Sequence, residues 1–374
     1  MKKTTYALVA GLAVAAQGAF AQSSVTLYGI ADVGVRFATH QASASGPENR
    51  VYMSDGATTG SRWGLRGTED LGAGTSAIFT LESGYSLTNG VSGQQGQLFS
   101  RTALVGLSNK TYGTVKFGRM FGTAFDFLIN FDPVAGGDLA ADDWEDLLVG
   151  LRYDNTVQYS NSFGPLSVEL QRSFGNQAGS VAVGSTTAAL ATWNGGPFTV
   201  GLLGQQSKDA KSRDLNVGAV GGKYTFGKAT IDSYFIYTHR DAGFTISANN
   251  SGLPLANTSI TSNANTAAGT GTQTSARTDR VFLLGGTYLA TPSLALTLAG
   301  LYDWTANVAP GKSGRTGSVY AIADYLLSKR SDVYVEADYA HLSGASVTDP
   351  NSPIGTFAGK NSSVGAMVGL RTRF

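Results

Sequence analysis

The chain has 374 residues, of which 14% are charged, compared with roughly 25% in ordinary soluble proteins. Lys and Arg number 27 against 26 Asp and Glu, so the net charge of +1 gives no basic excess that would indicate nucleic-acid binding. The absence of cysteine excludes disulfides, thiolate metal sites and a cysteine nucleophile. A mean hydropathy of −0.03 is too polar for a bundle of membrane-spanning helices.

Residues 1–21 have the pattern of a secretory signal peptide. Two lysines precede a short apolar run over residues 6–14, and an Ala-x-Ala motif ends at Ala21. The apolar run is shorter than the roughly 20 residues that a membrane-spanning helix requires. We therefore expect cleavage after Ala21 and an exported mature chain, with residues 22–374 forming a single domain.

Apolar and polar residues alternate with a period of two through most of the mature sequence, as is typical of half-buried β-strands. In one of the clearest examples, Val333 and Val335 alternate with Asp332, Tyr334 and Glu336. We predict sixteen strands, near residues 24–38, 60–70, 75–86, 99–109, 114–120, 151–161, 166–174, 186–194, 198–206, 214–225, 229–240, 277–290, 293–306, 314–328, 331–343 and 362–374.

The connections between these strands alternate between short and long. The long ones cover residues 39–59, 87–98, 121–150, 175–185, 207–213, 241–276, 307–313 and 344–361. An even number of antiparallel strands, with tight turns at one end and long loops at the other, is the layout of an outer-membrane β-barrel. A barrel of about sixteen strands is too wide for its own side chains to fill, so we expect a water-filled lumen.

The connection 121–150 combines acidic and aromatic residues and contains no Lys or Arg. Its carboxylates are Asp126, Asp132, Asp138, Asp142, Asp143, Glu145 and Asp146. Long connections of this kind are usually functional or disordered, and five aromatic side chains argue against disorder. We predict that the segment packs into the barrel mouth and presents carboxylates to the lumen. A solvated acidic surface loop is the alternative.

Basic residues are predicted on the barrel wall that faces this segment. Arg62 alternates with Trp63, which belongs on the lipid face, and Arg152 alternates with Tyr153 in the same way. An arginine facing lipid near the midplane would cost roughly 2–4 kcal/mol, which favours the lumen for such side chains. Together with an acidic segment, these side chains predict a pore constriction that sets ion selectivity, formed by Arg62, Arg101, Arg152, Glu82, Lys116, Asp126 and Asp132.

Several motifs resemble the general diffusion porins of Gram-negative bacteria, most closely the β-proteobacterial branch. They are Ser-Val-Thr-Leu-Tyr-Gly at 24–29, Ser-Arg-Trp-Gly-Leu-Arg-Gly-Thr-Glu-Asp-Leu-Gly at 61–72, Arg-Thr-Ala-Leu-Val-Gly-Leu at 101–107 and the terminal Phe374. The resemblance implies a trimeric sixteen-stranded barrel whose third loop, 121–150, folds into the pore. It also implies a basic cluster on the wall, carried here by Arg62, Arg101 and Arg152 with Glu82 beside them.

The same resemblance implies the partners of the protein and a slight preference for anions, which some relatives in this branch show. The expected partners are outer-membrane lipid and lipopolysaccharide, two further copies of the chain in a homotrimer, and small hydrophilic solutes and ions. It implies no cofactor, no chemical step and no nucleic acid.

The sequence leaves three alternatives open. The nearest is a substrate-specific outer-membrane channel, and the others are a barrel enzyme and an adhesin that displays residues 241–276. The sequence contains His40, His239 and His341 but lacks the H-E-x-x-H and G-x-S-x-G signatures of common hydrolases. Passive diffusion through an outer-membrane pore is therefore the predicted function.

Overall fold

The computed structural model describes residues 24–56, 58–93, 97–137, 146–244, 275–349, 352, 354–355 and 357–374, with the backbone alone at 146–147. The described strands are β1 (Ser24–Ser43), β2 (Gly46–Asp55), β3 (Arg62–Gly72), β4 (Thr75–Gly84), β5 (Thr102–Asn109), β6 (Gly113–Phe121), β7 (Arg152–Phe163), β8 (Leu166–Ser173), β9 (Thr186–Gly195), β10 (Phe198–Lys208), β11 (Asp214–Phe226), β12 (Ala229–Arg240), β13 (Arg277–Thr291), β14 (Leu294–Ala309), β15 (Lys312–Leu326), β16 (Ser331–Gly344) and β17 (Ser362–Arg373). The helices are α1 (Thr123–Phe131), α2 (Asp146–Val149) and a 3-10 turn at Ala345–Thr348.

These strands form one closed antiparallel barrel. From β3 to β17 each strand pairs with its neighbours in chain order, and β17 pairs back onto β1 from Ile30 opposite Arg373 to Ala38 opposite Gly365. The first part of β1 pairs with β3 and the second part with β2, so β2 and β3 are two halves of one interrupted wall strand. Counted in this way, the described wall has sixteen strands, which confirms the prediction.

The predicted long loop at 39–59 is wrong, because most of that range is strand. β1 continues to Ser43 past an irregularity near His40, and β2 returns alongside it. The residues of β2 are largely exposed on both faces, so neither face has to be apolar and no alternation marks the strand in the sequence.

The wall has a polar inner face and an apolar outer face. In β16, Asp332, Tyr334 and Glu336 are buried, whereas Val335 and Tyr339 are exposed on the opposite side. Neighbouring positions that point outward on β17 include Val368 and Leu370, which are also exposed. The alternation that predicted these strands therefore also identifies their lipid-facing side.

Helix α1 is the largest departure from the strand pattern, and no helical period in the sequence predicts it. Helix α2 is a single turn. Within the described part of the chain, no helix is long and apolar enough to cross a membrane. The predicted signal peptide, most of the connection 241–276 and the stretch 138–145 lie outside the described residues.

Candidate functional site

Helix α1 packs against the inner face of the wall formed by β8 to β12. Phe127 and Phe131 are fully buried there, and the Phe127 ring meets the Tyr234 ring at 6.1 Å between centroids. Gly201 and Gly221 lie beneath Phe131, so close that a Cβ atom on either would stand 2.3 Å and 2.5 Å from ring atoms. The absence of side chains at these two wall positions lets the helix lie directly on the backbone.

The turn that follows α1 is held by Asp132. Its carboxylate accepts hydrogen bonds from the Val134 amide at 3.1 Å, the Gly136 amide at 2.6 Å and the Tyr320 hydroxyl at 3.3 Å. Asp132 is only 2% exposed. The prediction that it presents a carboxylate to the lumen is therefore wrong, because the backbone of its own turn uses those oxygens.

From this turn the chain continues along the wall toward the interrupted strand. A Cβ atom on Gly285 of β13 would stand 2.7 Å from the Pro133 ring, and one on Gly137 would stand 3.1 Å from the Thr58 carbonyl oxygen. Thr58 lies between β2 and β3, where its hydroxyl donates to Asp32 at 2.9 Å. The described part of the segment thus contacts wall positions from β8 round to the break beside β1.

A cluster of charged side chains stands on β3, β4 and the residues just before β5. The Glu82 carboxylate receives the Arg101 Nε at 2.8 Å and the Tyr28 hydroxyl at 2.9 Å, and the Arg62 Nε lies 3.7 Å away. Arg66 stacks above the Tyr28 ring, 5.2 Å from its centroid. Two guanidinium groups, those of Arg62 and Arg101, therefore lie against one carboxylate, and Arg66 contacts the Tyr28 ring beside them.

The alternation of side chains along a strand does not explain why Arg101 points toward this cluster. β5 begins only at Thr102, which pairs with Glu82 and shares its inward direction. Arg101 lies in the bend before the strand, where its amide donates to the Glu82 carbonyl at 3.1 Å. The bend, rather than the period of two, directs its side chain toward the carboxylate.

Arg152 does not join the cluster around Glu82. Its guanidinium stacks on the Phe121 ring at 4.4 Å from the centroid, and the side chain is 2% exposed. The predicted lipid-facing position of Tyr153 is wrong, since Tyr153 is fully buried and its hydroxyl donates to the Val149 carbonyl at 3.0 Å. A shift of register near Asn155, which has a φ of 51°, breaks the alternation at this point.

Lys116 and Asp126 meet at a second polar cluster, below α1. The Lys116 Nζ donates to the Gln158 side chain at 3.0 Å. Asp126 is half-buried on α1, and its carboxyl group lies beside Glu169 of β8 and Gln158 of β7. Burial and the neighbouring Glu169 carboxylate raise the pKa of Asp126 to about 8.

A cavity of about 510 Å³ opens beside this second cluster. Its lining is mostly polar and comes from α1, from β5 to β9 and from the turn at Lys110: Asn109, Lys110, Gly113, Thr114, Asp126, Asn130, Ser160, Asn161, Ser162, Ser167, Val168, Glu169, Leu190, Thr192 and Asn194. Such a lining keeps water rather than an apolar ligand. In the described part of the chain, no three His, Asp or Glu side chains are arranged to hold a metal ion.

Tyr28 and Glu169 also belong to these clusters, and neither was predicted from the sequence. Glu169 follows the period of two with Ser167 and Gln171, which also belong to the inner face of β8, so its direction was available from the pattern. The contact of Glu169 with Asp126 could not be predicted from the pattern, because this contact depends on the position of α1. Of the seven carboxylates in 121–150, only those of Asp126 and Asp132 belong to described side chains.

Comparison with known proteins identifies the family. The model of the Gram-negative porin family matches residues 6–345. An outer membrane porin protein of Bordetella pertussis is 43% identical over 173 residues, and the match covers 43% of each chain. Outer membrane porin protein 32 of Delftia acidovorans is 30% identical over 272 residues, which is 67% of this chain and 74% of that protein.

Solved structures show the same fold. The anion-selective porin from Comamonas acidovorans superposes with a TM-score of 0.74 at 21% identity, covering 94% of this chain and all of that one. The trimer form of OmpT from Vibrio cholerae gives 0.62 at 15% identity, covering 94% of this chain and 99% of that one. The relatives are channels and not enzymes. The chain belongs to the Gram-negative porin family, which places it in the outer membrane as a β-barrel channel.

Proposed function

We propose that the protein is a passive pore for ions and small hydrophilic solutes, narrowed by segment 121–150 against the charged wall. The observation that carries this proposal is the pair of guanidinium groups, from Arg62 and Arg101, that share the single carboxylate of Glu82, with Arg66 close by on the Tyr28 ring. The polar inner face of the strands supports a water-filled passage, which needs no energy source and no cofactor.

We also propose a preference for anions. Around Glu82 positive charge exceeds negative charge, Asp132 is buried in its own turn, and the raised pKa of Asp126 reduces its negative charge at neutral pH. Lys116 adds a further cation near Asp126. The Comamonas structure is named as an anion-selective porin, which agrees with this direction. In this account Arg62, Arg66, Arg101, Glu82, Lys116 and Asp126 line the constriction, and Arg152 supports the base of the segment.

The test is conductance of the purified full-length protein in a planar lipid bilayer. We expect discrete steps that do not saturate with salt concentration, and a reversal potential in a KCl gradient that reports chloride as the more permeant ion. A conductance that changes in a saturable way as one sugar or amino acid is added would instead indicate a substrate-specific channel. Absence of steps would contradict the proposed function.

Assembly and export are further parts of the proposal. The trimer form of the Vibrio structure supports a homotrimer here, which heating should convert from a slow to a fast band in gel electrophoresis. Mass spectrometry of the purified protein should find Gln22 at the amino terminus, as cleavage after Ala21 requires. Lipid and lipopolysaccharide are the expected partners of the apolar outer face.

A further inference from the structure

Two arginines face outward from the barrel, away from the lumen. Arg280 of β13 and Arg315 of β15 are exposed, and they lie on the same strand faces as the exposed side chains of Phe282, Leu284 and Val319. Neither arginine forms an ion pair with any residue that the structure describes. Every described carboxylate of β13 to β15 lies on the opposite, inner face: Asp279, Asp303 and Asp324.

Strand register places an indole ring between these two arginines. The pairing of Thr278 with Ala306 and of Val281 with Asp303 sets Arg280 opposite Trp304, and Trp304 pairs directly with Arg315. Adjacent strands lie 4.7–4.9 Å apart, so the backbones at the two arginines are about 10 Å apart. Arg280 also lies over the Tyr237 ring of β12, 5.8 Å from its centroid.

An aromatic row lies directly beneath this triplet on the outer face. Phe235, Phe282 and Tyr302 occupy paired positions on β12, β13 and β14. The Tyr302 ring meets the Trp304 ring edge to face at 4.5 Å between centroids. A cationic row above an aromatic row is the order of side chains expected where lipid headgroups meet acyl chains.

The distance along β15 agrees with that position. Tyr325 is exposed at the short-turn end of the same face, ten residues from Arg315. At about 3.4 Å per residue and a tilt of about 40°, these residues stand roughly 26 Å apart along the membrane normal, close to the roughly 25 Å of the apolar band. Arg280 and Arg315 therefore lie at the outer headgroup boundary, where phosphate groups are within reach.

We propose that Arg280, Trp304 and Arg315 form a binding site for the phosphate groups of lipopolysaccharide in the outer leaflet. Guanidinium groups bind phosphate through paired, charge-assisted hydrogen bonds. The backbones of the two arginines are about 10 Å apart, Trp304 lies between them, and Arg280 leans toward Tyr237 on the far side, so the pair suits a headgroup that carries two phosphates. Lys312, exposed at the start of β15, adds a third cation near the same rim. This site rests on the outer-membrane location and not on the proposed pore selectivity.

The test compares lipids retained by the full-length protein in detergent, measured by native mass spectrometry. The variants are the double substitution R280Q/R315Q and the control R172Q. Arg172 belongs to β8, and its guanidinium is already hydrogen-bonded to Thr187 and to the Val181 carbonyl. The probes are lipid A with two phosphates, lipid A with one phosphate and phosphatidylglycerol.

We expect the wild-type protein and R172Q to retain the doubly phosphorylated lipid A at least about tenfold better than phosphatidylglycerol, and R280Q/R315Q to lose this preference. Equal retention by R280Q/R315Q and the wild-type protein would overturn the proposal. Equal retention of the three lipids by the wild-type protein would also overturn it. Bilayer conductance and reversal potential of R280Q/R315Q should match the wild type, so a failed pore hypothesis and a failed lipid site give different results.

Discussion

The ring of Phe131 lies directly on the backbone of Gly221, and a methyl group at that glycine would stand 2.5 Å from the Cγ atom of the ring. Helix α1 is thus positioned by a residue on β11 that has no side chain. Phe131 is fully buried in this contact, and burying such a side chain contributes about 1.5–3 kcal/mol. The position of α1 therefore depends on the glycines of the wall as much as on its own aromatic residues.

Substitution of Gly221 by Ala should displace α1 toward the lumen. The β11 backbone and the buried Phe131 ring cannot separate without an energetic cost. We therefore expect the free energy of unfolding to fall by about 1–3 kcal/mol and the conductance steps to become smaller. Thermal unfolding and single-channel recording measure the two effects. G218A on the same strand is the control, because a Cβ atom there meets nothing within 4 Å. Equal conductance in the two variants would contradict the packing account.

Substitution of Asp132 by Ala should loosen segment 121–150 without changing ion preference. The substitution leaves the Val134 and Gly136 amides without their acceptor, at a cost of about 1–3 kcal/mol for an unsatisfied buried group. We expect noisier conductance and an unchanged reversal potential. Y320F removes only the 3.3 Å hydrogen bond and should have a much smaller effect. A shift of reversal potential in D132A would instead assign Asp132 to the ion path.

Ion preference should depend on pH through Asp126. Its pKa in the folded protein is about 8, above its ordinary value of 3.8, so its contribution to stability is complete below the ordinary pKa and disappears as pH rises through about 8. Over the same range the lumen gains negative charge, and the reversal potential should move toward cations. The wild-type reversal potential should change mainly between about pH 7 and 9, which is about one unit on each side of the Asp126 pKa. The D126N substitution should remove this change. A D126N channel that keeps the full pH response would contradict the assignment.

The strands were predictable and the contacts of segment 121–150 were not. Apolar and polar residues alternate along β16 and β17 because one face of each strand is turned toward lipid and the other toward water. This pattern can be recognised in each strand separately. Asp126 and Glu169 meet only because α1 lies on the inner wall, and that depends on Gly201 and Gly221, which carry no side chain to form a pattern. The aromatic residues of α1 gave the one sequence signal that the segment is packed.

Alternation also failed where the backbone departs from regular pairing. The break between β2 and β3 and the shift near Asn155 each change which face a residue occupies, so Tyr153 is buried where the period of two predicts exposure. Arg101 reached the predicted cluster through a bend. The period of two therefore predicts side-chain direction reliably within regular strands, and it fails within a few residues of a bulge or a strand end.

The reversal potential in a KCl gradient, measured for a pair of variants with opposite charge changes at the Glu82 cluster, tests the central claim most directly. R62Q/R101Q removes two positive charges and should shift the potential toward cations, whereas E82Q removes the one carboxylate that Arg62 and Arg101 share and should shift it toward anions. A wild-type channel that prefers chloride, with the two variants displaced in opposite directions, is the expected result. Equal potentials in all three proteins would contradict a charged constriction at this wall.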